Sequence, residues 1–483
     1  MTFASIAFLV FLPLVFGLYW LTRSRLLQNV VLVAASAAFY AWWDVRFCGL
    51  MLGSAVLDFF LGLAMERQPS LLRKRILLAI SVAVNLGLLG FFKYSNFFAD
   101  NLQALARAGG WSLHPITLSI VLPAGISFYT FQTLGYIVDV YRGSLKASRN
   151  LVDYLGFVTF FPQLVAGPIE RAGNLLLQFQ DGRRFDYALA VDGSRQILWG
   201  LFKKALLADT LGETVDAVYA TPGAFSGGSL ALATVFFAFQ IYCDFSAYSD
   251  IASGTARLFG FRLMRNFAYP YFAQSLPEFW RRWHISLSTW FRDYLYVPLG
   301  GARVGRARLA FNILLTFIVS GFWHGAHWTF ILWGALHGIA MIPFALGARA
   351  RALKARDIPG GEAAIPRPAA LLKMACTFGF ICLTWVFFRA KTAGEAGFIL
   401  ARILRAPFAA DGGAPLPAAI PLASLAALLG GFVLAEWVRR RDDHALGLDR
   451  SPRVVRWMAY TALAWGTLIL GAGESRPFIY FQF

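Results

Sequence analysis

The chain of 483 residues is 58% hydrophobic and only 14% charged, against roughly a quarter charged residues in an ordinary water-soluble domain. So few charges cannot clothe a water-facing surface, which excludes a soluble globular protein and leaves lipid as the main surroundings. The formal net charge of +18 does not point to nucleic acid, because no soluble basic domain carries it and the basic residues sit in loops, where Lys and Arg hold the cytoplasmic side of a membrane protein.

In chain order, no Lys or Arg precedes Arg23, and the apolar run continues from Ile6 to Leu21, which predicts a first transmembrane helix over 5–22 rather than a cleaved signal peptide. Further apolar runs fall at 27–43, 47–65, 76–92, 116–138, 228–246, 327–346, 373–388, 418–437 and 456–473. Shorter or interrupted stretches at 152–168, 192–208 and 309–323 read as spans or re-entrant pieces. Together they predict about ten to twelve crossings of an all-α polytopic protein. No repeat of 20–50 residues recurs.

The loops set the orientation. Arg23 and Arg25, then Arg67, Arg73, Lys74 and Arg75, then Arg142, Lys146 and Arg149 follow alternate spans, which predicts an N-terminus outside and these loops in the cytoplasm. Between 257 and 308 nine Arg face only Glu278 and Asp293. The Gly- and Pro-containing stretch 348–370 reads as a flexible cytoplasmic loop. No composition break divides the chain, so 1–483 is expected to form a single membrane domain with its motif-bearing core at about 116–345. Cys48, Cys243, Cys376 and Cys382 lie in or beside apolar segments without a CxxC pair and are expected as buried free thiols.

Two segments do not read as plain lipid-facing helices. Glu278 to Tyr294 (EFWRRWHISLSTWFRDY) is amphipathic and too charged to cross lipid. A basic helix lying on the membrane surface explains its Arg and Trp but not its His–Ser–Ser–Thr–Asp set. A segment folded back into the protein accommodates both, since polar backbone at membrane depth survives only under cover. Ser320 to Gly338 (SGFWHGAHWTFILWGALHG) follows, and four of the six histidines lie between 284 and 337.

An ionisable side chain inside a bilayer is costly and defaults to a functional hypothesis. His324, with apolar runs on both sides, is the most interior of the four. A desolvated imidazole rests neutral and can take a proton from a hydroxyl as a general base. Glycines beside it allow close approach of backbone or substrate. A structural role, in which imidazoles bond neighbouring helices, is the expectation for His327 and His337. A metal site finds little support, because no Asp or Glu occurs between Asp293 and Asp357. A Ser–His–Asp hydrolase lacks its GxSxG elbow.

The stretch Phe279 to Tyr294, followed by Val297 to Gly301, then Gly321 to Ala326, Trp333-Gly334 and His337-Gly338, resembles the membrane-bound O-acyltransferase (MBOAT) family. Leu122 to Gln132, Asp139 to Gly143, Phe161 to Ile169, Tyr242 to Asp250 and Trp385 to Arg389 make it similar, within that family, to the alginate O-acetyltransferase branch. The resemblance runs from the first span to about residue 390. It implies a ring of tilted helices with re-entrant segments around a central tunnel. It also implies transfer of an acetyl group from a cytoplasmic thioester, acetyl-CoA or an acyl carrier, to a hydroxyl of an exported polysaccharide. The family's intramembrane histidine falls on His324 and its second histidine on His284. No tightly bound cofactor or metal is implied. A bacterial inner-membrane location and a periplasmic acetyltransferase or export partner are expected.

Residue chemistry extends that expectation. Arg281, Arg282 or Arg292 would meet donor phosphates. Asp293 would support His284 from behind, and Trp323 and Ser286 are supporting candidates. The rival readings are a transporter or flippase, which predicts paired broken helices in two related halves, and a structural subunit of an export complex.

Overall fold

A computed structural model describes residues 1–3, 5–111, 118–165, 167–347, 366–405, 413–417, 420–448, 451–470, 476 and 478–479. Most of the expected loop at 348–370 lies outside them. Among the described residues the chain is helical without a β-strand, apart from an isolated bridge between Phe225 and Ala414. Six helices are long and apolar enough to cross a membrane: Val45–Arg67, Leu71–Ala108, Gly227–Leu258, Arg306–His324, Trp328–Leu346 and Pro368–Arg389.

Four shorter apolar helices, Ile6–Leu21, Arg25–Ala41, Leu151–Leu164 and Leu422–Val438, fall below that length. Local signals set their ends. The Ser5 hydroxyl caps the first helix by accepting from Phe8 N–H, and Thr22 leaves it in extended backbone. Ile6–Leu21 has 16 residues, about 24 Å at 1.5 Å per residue. The run expected at 116–138 becomes a helix only at Ile126–Arg142, most of whose side chains are buried. It is an interior helix rather than a lipid-facing one. Hydropathy alone does not separate those two cases. Cys376 departs from its expected burial and is exposed, while Cys48, Cys243 and Cys382 are buried free thiols.

The chain packs as two compact units where composition marks no boundary. The first comprises residues 1–190 and 255–264. Phe39, Phe161 and Phe259 interlock with Phe8 and Phe11 in its core, with ring centroids 5.3–6.2 Å apart. Its buried carboxylates are matched by donors. Asp153 receives Arg25 and Asn29, each at 2.8 Å, and Asp58 receives Ser81 and Asn85 at 2.5 and 2.8 Å.

The second unit comprises residues 191–254 and 265–483. Its polar spine is the stretch Tyr242 to Asp250 of helix Gly227–Leu258. Lys203 pairs with Asp250 at 2.6 Å and donates to Ser246, while Lys204 pairs with Asp209 and Asp244 at 2.9 Å each. Both lysines lie on a π-helical turn, Lys203–Ala208. The extra residue in such a turn re-aims side chains and lets two consecutive ammonium groups each find a carboxylate. Unpaired, those buried charges would be prohibitive.

Helices Arg306–His324 and Trp328–Leu346 form a hairpin in the same unit. A Cβ on Gly321 would stand 2.2 Å from Phe330 O, and one on Gly334 2.2 Å from Phe317 O. The two backbones touch through these glycines, as small residues permit between apolar helices. Beside His324, a Cβ on Gly325 would stand 2.2 Å from the Phe330 ring, so the hairpin itself fills the space there and fixes where the histidine stands.

Candidate active site

The segment Glu278 to Tyr294 is not one surface helix. Two short helices, Leu276–Arg282 and Ile285–Phe291, meet at Trp283 and His284. Glu278, Phe279, Arg282, Trp283, His284, Ser286, Leu287 and Phe291 are all buried, so the segment is folded into the protein. His284 turns the corner in the left-handed region, with φ 41° and ψ 54°, a conformation uncommon for a residue with a Cβ. Such outliers persist where neighbours over-determine them and tend to mark functional sites. The clamp here is the stretch 266–268. Ile285 N–H donates to Asn266 O at 2.9 Å, and Ala268 N–H donates to Arg282 O at 2.9 Å. The Arg282 guanidinium donates to Ala268 O and to the Glu278 carboxylate.

The corner and the hairpin bring two imidazoles together. His284 and His324 are 1% and 3% exposed, and their ring centroids lie 6.4 Å apart. His324 closes helix Arg306–His324. It is walled by Trp323 at 5.0 Å, Trp333 at 5.2 Å and Phe388 at 5.4 Å, all roughly edge to face. Phe245 meets His284 edge to face at 4.6 Å, and Trp323 lies 6.1 Å from it. Both bases thus stand in aromatic surroundings that exclude water and strengthen any charge interaction formed there.

Hydrogen bonds assign the tautomers. Asn266 Oδ1 accepts from Ser286 N–H at 3.3 Å and from the Ser286 hydroxyl at 2.9 Å, while its amide nitrogen donates to Ser249 Oγ. A backbone N–H only donates, so oxygen must face it. That oxygen is also 3.1 Å from His284 Nδ1, so Nδ1 carries the proton. His284 Nε2 is buried and meets no hydrogen-bonding group among the described residues, leaving its lone pair available. His337 is the contrast. The Trp280 indole, a donor only, points at Nδ1 from 3.3 Å, and Nε2 lies 3.0 Å from Thr384 Oγ1, whose own proton goes to Ile381 O. Both nitrogens of His337 are engaged, which is a structural role.

The remaining expected residues divide. Ser286 and Trp323 belong to the histidine pair. Asp293 pairs with Arg292 at 2.7 Å on a π-helical turn, and the group bonded to His284 Nδ1 is Asn266. Arg282 is buried and committed to Glu278 at 2.7 Å, so it is not presented to a donor phosphate. Arg281 is half-buried and Arg292 exposed. Partial burial pulls the Arg281 pKa below its ordinary value, and a guanidinium stays charged regardless. His327 is exposed at the start of helix Trp328–Leu346. Asn266 escaped the sequence reading because it lies in no polar motif; its only signal is a lone amide between Arg265 and Phe267.

The fold and site together define an integral-membrane helical protein that buries two imidazoles side by side, one of them with an unbonded ring nitrogen among the described residues. The profile of MBOAT, the membrane-bound O-acyltransferase family, matches residues 144–355. A probable alginate O-acetylase AlgI of Pseudomonas putida is 38% identical over 512 residues, covering 100% of both chains. Its Pseudomonas aeruginosa counterpart is 42% identical over 394 residues, covering 81% of this chain and 72% of the relative. A peptidoglycan O-acetyltransferase of Helicobacter pylori is 36% identical over 416 residues, covering 80% and 76%. The chain belongs to the MBOAT family and is a membrane-embedded O-acyltransferase.

Proposed function

We propose that the protein transfers an acetyl group from a cytoplasmic thioester to a hydroxyl of an exported polysaccharide, alginate in the first instance. The observation that carries this reading is the buried pair His284 and His324, with ring centroids 6.4 Å apart. The acceptor hydroxyl attacks the thioester carbonyl as His324 takes its proton. The C–S bond breaks, and the proton passes to the departing thiolate. His284 orients the reactants through its Nε2 lone pair. A thioester brings its own good leaving group, so the protein contributes mainly position and a base, the latter worth about 10²–10⁴-fold. Donor phosphates are met by Arg281 and Arg292. The basic loops lie in the cytoplasm of a bacterial inner membrane, the N-terminus is periplasmic, and a periplasmic partner completes delivery to the polymer.

The relative named for peptidoglycan supports a second acceptor, since a glycan hydroxyl requires the same chemistry. The test is acetyl content of both polymers in cells carrying wild type, His324→Ala or His327→Ala, with membrane levels quantified. Loss of alginate acetyl only in His324→Ala is the expected result. Loss confined to peptidoglycan would move the substrate, and full acetylation in His324→Ala would overturn the mechanism.

A further inference from the structure

The geometry points to Asn266 as a positioning residue of the acyl transfer: it holds His284 in the Nδ1–H tautomer, so that the Nε2 lone pair is the one His284 offers to the reactants. The inference rests on the acyl-transfer reading of the histidine pair. Asn266 lies between the Tyr242–Asp250 and Glu278–Tyr294 stretches, outside every motif named above, and touches His284 through one oxygen.

The amide is locked at both ends. Oδ1 takes the Ser286 N–H and hydroxyl as well as His284 Nδ1, and Nδ2 gives to Ser249 Oγ at 3.1 Å. Asn266, His284 and Ser286 are each 2% exposed or less, and Ser249 6%, so water does not compete for these bonds. Turning the amide over would put its NH2 against the Ser286 N–H and leave two donors facing each other. The same residue's backbone carbonyl receives Ile285 N–H at 2.9 Å, which ties the left-handed corner to the amide that reads its ring. One residue therefore sets both the direction of the imidazole and which of its nitrogens bears hydrogen. An imidazole's partner on one nitrogen decides the chemistry of the other, and here that partner is a neutral amide. It fixes the tautomer without adding a charge that would hold the imidazolium. A neutral His284 in aromatic surroundings accepts a hydrogen bond from the reacting groups at Nε2 and leaves the proton transfer itself to His324; once protonated it could not do so.

The test uses the full-length protein in membrane vesicles that contain the acceptor polymer, with radiolabelled acetyl-CoA as donor. Wild type, Asn266→Leu, Asn266→Asp, His284→Ala and His324→Ala are compared at matched protein level and across pH. Asn266→Leu keeps the size and removes the acceptor; it is expected to lower kcat by roughly 10–100-fold, the scale of effect that losing a histidine's outer hydrogen-bond partner has at metal sites, with KM for acetyl-CoA little changed. Asn266→Asp keeps the acceptor and adds a charge that stabilises the imidazolium. It is expected to restore kcat at high pH and to move the acid limb of the rate profile upward, a shift that mere restoration of folding would not produce. Wild-type rates in Asn266→Leu, or an unmoved profile in Asn266→Asp, would overturn the tautomer role while His284→Ala and His324→Ala remain inactive. Wild-type rates in both histidine variants would instead overturn the acyl-transfer reading itself.

Discussion

His284 and His324 stand with ring centroids 6.4 Å apart at 60°, one on a left-handed corner between two short helices and the other at the end of a long one. The two rings are too far apart for a direct hydrogen bond, and close enough for a reacting group between them to reach both. Groups that act as a unit lose function non-additively.

His284→Ala and His324→Ala are each expected to lower acetyl transfer by about 10²–10⁴-fold. The double variant should fall no further than the worse single one. The check is the rate of radiolabel transfer to polymer at matched membrane level. Multiplicative losses would mean the rings work independently.

His337 answers differently. Removing it leaves the half-buried Trp280 indole without its acceptor and opens space beside the buried Thr384 hydroxyl, which keeps its bond to Ile381 O; losing a buried hydrogen bond of this kind costs about 1–3 kcal/mol. His337→Ala should therefore lower the melting temperature in detergent, yet keep most of the turnover per folded molecule. A stable but inactive variant would place His337 in the chemistry.

The hairpin glycines set the histidine's position by contact. Gly334→Ala puts a methyl group 2.2 Å from Phe317 O, where only backbone can give way. Overpacking of this kind costs about 1–3 kcal/mol, and the parting helices displace His324. Thermal melting and kcat are expected to fall together. Gly379→Ala, where nothing lies within 4 Å, should change neither.

Glu278 and Arg282 form the other sensitive contact. Their pair is at 2.7 Å and largely enclosed. Breaking such a pair from one side costs about 3–5 kcal/mol, while replacing both partners with apolar groups is often near neutral. Arg282→Met should unfold the corner, and Glu278→Leu combined with Arg282→Met should recover much of the stability in a thermal melt. Arg292→Gln, on the exposed side, is expected to raise KM for acetyl-CoA several-fold without changing stability, as loss of a phosphate contact would.

The reach of the sequence can be followed residue by residue. His324 was legible because a titratable group between apolar runs is costly wherever the chain puts it. The segment Glu278 to Tyr294 was legible as unable to face lipid, for the same reason. Arg282 was misjudged as a donor contact because charge density does not tell whether a guanidinium points outward or folds back onto a glutamate four residues earlier. The run at 116–138 was legible as apolar, but its helix begins only at Ile126, and composition could not tell that most of its side chains are buried.

By itself, then, the sequence determined that this chain lives in a membrane and which family's motifs it carries, and it marked His324 as a titratable group set between apolar runs. Those are properties of composition and local order, which no packing can reverse. Only the tertiary structure decided that Asn266 holds the His284 proton on Nδ1, that His337 spends both nitrogens on Trp280 and Thr384, and that the glycines near His324 serve helix contact. Each of these depends on a hydrogen bond or a van der Waals contact between residues distant in the chain. Such contacts are set by distance and angle in the folded molecule, and residue order carries neither.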